Sequence, residues 1–508
     1  MRADRDVPGA FEVSLSFKLA RGEKALLSPF KPGGPEAGSL AKPVVEFRVQ
    51  PGPGYRVEPV EADGGLVITA NSNTDIEVPY RVSFPAGKPV QSPGEASRNA
   101  KPPLPIITSD LNVLKASQAL ICPRTPEKLS PISDDYFIEF ELGQGQTVLV
   151  PWEKLNQGYS FKVHGEKALL ENYVSIGKIS KVEKERGGCR ITVGFTSDHE
   201  GLTPDKRKQY VDDLAGLFDD VGKTMEPRPE LPRLSILVAG TGHYGLKKPT
   251  ASGLFSSVIT FNGDKKLRGE AAAASAGAIF ELWNRWMLVP AEKGGAQWFQ
   301  EGMPWFYSYR TAALAGLLSN TSAYGGFSQV YIDYVSNPLS RSTSLADAVN
   351  QGNAFSLLRE KGAVLCASVA MKLSDQTKGE KDMDWLLGEL AKKYDHFQGK
   401  TYTVADIAEL VEGATGKSWD RFFDQRLKGT EFLPPSEFST SGLFGTESSE
   451  VGGRKLATKG SGRSWLILLV AVIFLFLIPV IFSAYVRRSV KLDLTMPRIL
   501  PEDTEDES

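Results

Sequence analysis

The spacing of apolar residues changes along the chain, and this change constrains the fold more than any other feature. Residues 1 to about 105 contain short segments in which apolar and polar residues alternate, such as "FEVSLSF" and "IEVPYRVSF", with turns rich in glycine and proline between them. Alternation puts the apolar side chains on one face of a strand, and a series of such strands predicts a β-sandwich. After "GLFSSVITF", apolar residues recur three and four positions apart to about residue 430, which predicts helices.

These patterns predict an α+β protein with several parts, since 508 residues exceed what one hydrophobic core usually holds. We expect an N-terminal β-sandwich at residues 1–105, a strand-rich part at 106–235 with one helix, and a helical part at 236–434. Residues 435–464 are rich in serine, glycine and threonine, which predicts a flexible linker. The last residues, 487–508, end in the acidic "PEDTEDES" and are predicted to form a tail.

A continuous apolar run, Trp465 to Val486, separates the linker from the tail. It carries no charge and is long enough to cross a hydrocarbon core of about 30 Å, with Trp465 and Tyr485 near its ends. We therefore predict one C-terminal transmembrane helix in a single-pass protein. The adjacent Arg487 and Arg488 favour a cytoplasmic tail and an extracytoplasmic soluble part, which requires an upstream start. The lack of a signal peptide in this sequence fits the alternative, a tail-anchored cytosolic protein.

Composition excludes several classes of site. Lysine and arginine number 59 against 61 aspartates and glutamates, so the chain lacks the basic excess of a nucleic-acid-binding protein. The three cysteines are far apart and cannot form a cysteine zinc site, and Cys366 lies in an apolar helical pattern typical of a core. The four histidines are His164, His199, His243 and His396, and no two lie within about thirty residues.

Five segments of the second half occur in an order that carries a family resemblance. They are "GHYGLKKPTASGLFSSV", "GAIFELWN", "WFQEG" with "WFYSY", "LLREKGAVLCASVAMKL", and "TYTVADIAELVEGATGKSWDRFFDQRLKGTEFLP". Together they resemble the glycyl aminopeptidase family, which belongs to the gluzincin zinc peptidases related to thermolysin. The resemblance covers about residues 106–434. It implies a thermolysin-like, mostly helical peptidase domain after the N-terminal β-sandwich.

The resemblance also implies a zinc site, which this chain lacks. Gluzincins bind zinc through two histidines at positions i and i+4 of a helix, and a glutamate beside the first histidine is the general base. Aligned by Trp283–Asn284, these three positions correspond to Gly277, Glu281 and Ala278. Only Glu301, at the third-ligand position in "WFQEG", is retained. Glycine and alanine offer no lone pair, so we expect no zinc cofactor and no conventional catalytic residues.

Two further positions of the family's active site are changed. The tyrosine that stabilises the oxyanion corresponds to Arg359, and the glutamate of the substrate loop corresponds to Lys247. The resemblance implies that Lys247, Glu281, Glu301 and Arg359 converge on the former substrate cleft. There they would either brace the fold as an ion-pair network in place of zinc, or bind a charged peptide terminus or a small anion. Glu301 itself fits either a metal or amine contact or a structural polar role.

Three functions remain open from the sequence. The first is an inactive peptidase homologue, held at a membrane, that binds a peptide or protein ligand or acts as a scaffold. The second is an active hydrolase that uses Glu281 and Glu301 with altered-metal or metal-independent chemistry. The third is a purely structural, membrane-tethered protein.

Overall fold

The computed structural model describes most of the chain up to residue 435. The described residues are 1–3, 10–28, 43–60, 64–84, 106–108, 110–155, 158–197, 202–225, 233–240, 250–260, 269–291, 295–351, 354–394 and 399–435. They belong to one compact unit, Met1–Thr446. Within them, strands predominate up to Thr260 and helices follow from Glu270 on, as the change in apolar spacing predicts.

Two antiparallel sheets form the N-terminal part. Their strands are β1 Arg2–Ala3, β2 Ala10–Leu19, β3 Lys24–Leu27, β4 Val44–Phe47, β5 Tyr55–Val60, β6 Gly65–Ala70 and β7 Thr74–Ser83. One sheet has the order β1-β2-β7-β4 and the other β3-β6-β5. Alternate residues of β7, Ile76, Val78, Tyr80 and Val82, are buried and share one core with Ile68 of β6. This is the two-sheet arrangement with a common core that the alternating pattern predicts.

Short strands and one short helix follow. They are β8 Ile106–Ile107, β9 Leu111–Lys115, β10 Asp135–Glu139, β11 Thr147–Leu149, β12 Glu153–Lys154, β13 Ser160–His164, α1 Glu166–Leu170 and β14 Tyr173–Gly177. They form sheets of order β10-β13-β12 and β11-β14-β9-β8. Leu114 and Trp152 share the core of the N-terminal sheets, and the Tyr80 hydroxyl donates to the Ala119 carbonyl at 3.0 Å. Buried contacts therefore cross the predicted boundary at residue 105, which stays a prediction.

A five-stranded mixed sheet and its covering helix lead into the helical part. The elements are β15 Ile179–Arg186, β16 Cys189–Thr196, α2 Pro204–Thr224, β17 Arg233–Ala239, β18 Thr250–Ser252 and β19 Ser256–Thr260. The order is β15-β16-β17-β19-β18, with β17 parallel to both neighbours. Helix α2 is the predicted helix of this region. It begins where the Thr203 side chain accepts from the Lys206 amide and Pro204 occupies the first turn.

The remaining elements of the described chain are helices, as predicted. They are α3 Glu270–Met287, α4 Gln297–Leu314, α5 Asn320–Ser336, α6 Leu345–Ala348, α7 Phe355–Gln376, α8 Met383–Lys393, α9 Val404–Thr415 and α10 Asp420–Lys428. Their apolar faces and the five-stranded sheet share one large core, in which Trp283, Trp298 and Trp419 are fully buried. Cys366 is fully buried in the same core, as its apolar surroundings predict, and all three cysteines are free.

Helices α4 and α7 touch backbone to backbone at two glycines. A Cβ atom on Gly302 would lie 2.3 Å from the carbonyl carbon of Gly362, and one on Gly362 would lie 2.4 Å from the Trp298 carbonyl oxygen. No side chain fits at either position without separating the helices. Next to this contact, the buried Lys361 ammonium donates to the Gly429 carbonyl at 2.8 Å. The glycines of "WFQEG" and "EKGA" are therefore packing residues.

The C-terminal predictions fall outside the described residues. The predicted transmembrane helix, Trp465 to Val486, is not among them, and neither is the tail that follows. Among the residues that the structure does describe, no helix combines the length and the hydrophobicity that a membrane crossing requires.

The glycine contact predicts a large effect of one methyl group. Gly302→Ala should lower the free energy of unfolding by about 1–3 kcal/mol, because the added Cβ forces α4 and α7 apart. Gly325→Ala is the matched control, because a Cβ atom at this position of α5 would have no neighbouring atom within 4 Å. This substitution should be neutral or stabilising by up to about 1 kcal/mol. Calorimetric unfolding of the full chain measures both. Equal effects of the two substitutions would contradict the role given to Gly302.

Candidate functional site

Helix α4 packs against the part of α3 at which the resemblance implies a zinc ligand and a general base. A Cβ atom on Gly277 would lie 3.0 Å from the Ser308 Cβ and 3.2 Å from the Pro304 carbonyl oxygen. Ala278 has no exposed surface. A side chain at position 277 would therefore require Ser308 or the Pro304 carbonyl to shift by a few tenths of an ångström. The lack of a side chain at Gly277 lets α3 and α4 approach closely.

Two helical turns further along α3, Arg285 lies between two carboxylates. The Arg285 Nε and Nη2 atoms lie 2.9 and 2.8 Å from Oε1 of Glu281, and Nη2 lies 3.9 Å from Oε1 of Glu301 on α4. The three side chains are 28, 12 and 18% exposed, so solvent still reaches them. The structure thus brings the predicted pair Glu281 and Glu301 together through a cation.

Arg285 is the residue that sequence reasoning missed. Its signal is the i,i+4 spacing from Glu281, which places the two side chains on one helix face. As a cation in the last turn of α3, Arg285 also interacts favourably with the helix dipole.

The residues present do not fit a catalytic zinc ion. Such a site needs three side-chain donors and an open coordination position. Gly277 and Ala278 supply no donor, and the carboxylates of Glu281 and Glu301 face the Arg285 guanidinium instead. Across the described part of the chain, no three histidine, cysteine, aspartate or glutamate side chains gather as a metal site.

Arg359 on α7 contacts two aromatic rings, one of which belongs to α4, the helix that carries Glu301. Its guanidinium carbon is 5.0 Å from the centre of the Trp305 ring and 5.5 Å from that of Phe355. Trp305 follows Glu301 by one turn of α4, so the two share a helix face. Within the described residues, no ion pair joins Arg359 to Glu281 or Glu301. Lys247, the fourth predicted residue, lies outside the described residues.

These six residues form the candidate site: Glu281, Arg285, Glu301, Trp305, Phe355 and Arg359. Each is partly exposed, whereas most residues beside them on the three helices are buried. They bring two anions, two cations and two aromatic rings to one region. That arrangement can hold a charged ligand.

Neighbouring residues support the site without reaching it. Trp283 stacks on Phe218 with ring centres 4.9 Å apart, and the Asn284 Nδ2 donates to the Gln300 carbonyl at 2.8 Å, which ties α3 to α4.

Tyr402 is fully buried, and burial, with smaller contributions from Cys366 and Glu301, raises the pKa of its hydroxyl well above the ordinary value. Because its side chain has no exposed surface, Tyr402 cannot reach a substrate in place of the oxyanion-stabilising tyrosine that the resemblance implies at position 359.

Comparison with known proteins agrees on the fold. The chain is similar to the crystal structure of an aminopeptidase N family protein from Idiomarina loihiensis, with a TM-score of 0.64 and 13% sequence identity. The match covers 85% of this chain and 76% of that protein. No family model and no curated protein matches the sequence. The predicted α+β, peptidase-like fold is therefore confirmed at the level of a mixed α+β, aminopeptidase-like fold.

The arginine bridge predicts energetic coupling between its members. In a double-mutant cycle of Arg285→Gln and Glu281→Gln, we expect a coupling on the order of 1 kcal/mol, because both side chains are mostly buried and solvent and salt screen their ion pair little. The control is the pair Asp424 and Lys428, which has the same i,i+4 spacing but is well exposed and should couple weakly. Chemical unfolding of the full chain measures both cycles. Equal couplings would contradict a special role for Arg285.

Proposed function

We propose that the protein is an inactive peptidase homologue of gluzincin type, anchored to a membrane, that acts as a binding or scaffold module. The observation that carries this proposal is the Arg285 guanidinium between Glu281 and Glu301. The Arg285 guanidinium balances the negative charge of the two carboxylates. Unlike a metal ion, it has no coordination position at which to activate a water molecule.

The other groups that hydrolysis requires are also absent from the positions at which the resemblance implies them. Peptide cleavage needs a general base for the attacking water and donors for the developing oxyanion. Ala278 stands where the resemblance implies the base. Two nitrogens of Arg285 contact the Glu281 carboxylate. Glu281 is therefore not available to act together with Glu301 in hydrolysis. These features favour an inactive homologue over an active hydrolase that uses the two glutamates.

Partial exposure favours binding over a purely structural role. A former active site that had been filled by side chains would bury its polar groups completely. Here Arg285 keeps 28% of its side chain exposed, and Trp305, Phe355 and Arg359 are also partly exposed. An accessible group of charges and aromatic rings is the usual composition of a recognition site.

The catalytic part of the proposal is tested on the purified full chain by metal analysis and by aminopeptidase turnover on a peptide library. We expect neither stoichiometric zinc nor turnover, because the ligands and the base are missing. Glu301→Gln is the control variant, and it should behave like the wild type in both assays. Stoichiometric zinc together with turnover that Glu301→Gln abolishes would refute the proposal and favour the active hydrolase.

The membrane part rests on the apolar run Trp465 to Val486 and is tested by fractionation. The full chain should sediment with membranes after carbonate washing, and deletion of 465–486 should release it, since no other predicted segment has the required hydrophobicity. Deletion of residues 489–508, which removes the tail but keeps Arg487 and Arg488, is the control and should leave the protein in the membrane. Protease digestion of intact cells then reports the side, and we expect the soluble part to be extracytoplasmic. A full chain recovered in the soluble fraction would contradict anchoring.

A further inference from the structure

We propose that Arg359 binds a carboxylate, and that its natural ligand is the C-terminus of a peptide or protein segment. This inference rests on the proposed function of the chain as a binding module and assigns it a ligand class. The residues involved are Arg359 and the two rings that hold it, Trp305 and Phe355.

The first argument is the way in which the guanidinium is held. Its carbon lies 5.0 Å from the Trp305 ring centre and 5.5 Å from the Phe355 ring centre, so aromatic faces from α4 and α7 fix its position. Stacking uses the flat face of a guanidinium and leaves the N–H groups at its edge available. Within the described part of the chain, no carboxylate or carbonyl accepts from those N–H groups. The side chain is therefore preorganised for a ligand with a matching pair of acceptors.

The second argument is the charge balance around it. Glu281 and Glu301 are the anions of the candidate site, and Arg285 lies 2.8 and 3.9 Å from them. This bridge leaves Arg359 as a second cation that the two glutamates do not neutralise by direct contact. A planar carboxylate can accept two parallel N–H bonds from one guanidinium, and partial burial strengthens such a pair relative to water.

The third argument selects a peptide terminus among anions. Glu281 and Glu301 belong to the same candidate site, and each of these carboxylates repels a doubly charged phosphate more than a singly charged carboxylate. The exposed parts of Trp305 and Phe355 offer apolar surface next to the cation. A terminal carboxylate with an apolar side chain one bond away satisfies both features.

The test uses saturation-transfer NMR with the full chain and two pools of tripeptides. Both pools are N-acetylated, so that an aminopeptidase could not degrade them, and they differ only in a free carboxylate or an amide at the C-terminus. We expect signal from the carboxylate pool and loss of about tenfold or more in affinity for the amide pool. Inorganic phosphate at the same concentration should not displace the carboxylate pool.

Three variants assign the effect to Arg359. Arg359→Gln should abolish binding of the carboxylate pool, and Arg359→Lys should retain part of it, because lysine keeps the charge but not the paired donors. Arg341→Gln is the matched control, since the Arg341 guanidinium lies 4.9 Å from the Phe432 ring centre and is not part of the candidate site. It should bind like the wild type. Thermal unfolding of each variant verifies folding.

Failure of this inference is distinguishable from failure of the proposed function. Equal binding of the two pools, retention of binding in Arg359→Gln, or displacement by phosphate would overturn the carboxylate site and leave the inactive homologue standing. Zinc-dependent cleavage of unblocked peptides would overturn the proposed function, whatever the pools show.

Discussion

The close packing of α4 between α3 and α7 is the contact on which the candidate site depends. Gly302 meets Gly362 of α7 without any intervening side chain, and Gly277 of α3 lies against Ser308 and Pro304 of α4. Because these approaches are so close, Glu301 and Trp305 on α4 are presented to side chains of both neighbouring helices. Arg285 reaches Glu301 from one side, and Arg359 reaches Trp305 from the other. The glycines Gly277, Gly302 and Gly362 therefore set the distances between the three helices at this site.

Replacing a metal ion by an arginine changes what such a site can do. A guanidinium compensates carboxylate charge and adds directional hydrogen bonds, but it cannot act as a Lewis acid or exchange a bound water for substrate. Two partly buried glutamates close together repel each other unless a cation lies between them or one of them takes up a proton. Arg285 supplies the cation from the same helix as Glu281. The peptidase-like fold can thereby persist without zinc, and the partly exposed charges remain available to a ligand.

The order of elements follows from local patterns in the sequence, whereas the nearness of Glu281 and Glu301 was implied by the family resemblance alone. Apolar spacing identified α2, α8 and α9 because each has one buried face. The role of Arg285 was not predicted, although its i,i+4 spacing from Glu281 is present in the sequence. The contact of Arg359 with Phe355 is also i,i+4, but its contact with Trp305 joins two helices distant in sequence. No spacing rule predicts such a contact, and none predicts the Gly277 approach to Ser308.

The central claim is that Arg285 occupies the role that the resemblance assigns to a metal ion. The most direct measurement is a crystal structure of the wild-type compact unit Met1–Thr446 grown with excess zinc, with diffraction data on both sides of the zinc absorption edge. The account predicts Arg285 Nη2 between Glu281 and Glu301 and no anomalous peak at these carboxylates. A zinc peak bound by both glutamates, with Arg285 displaced, would contradict it.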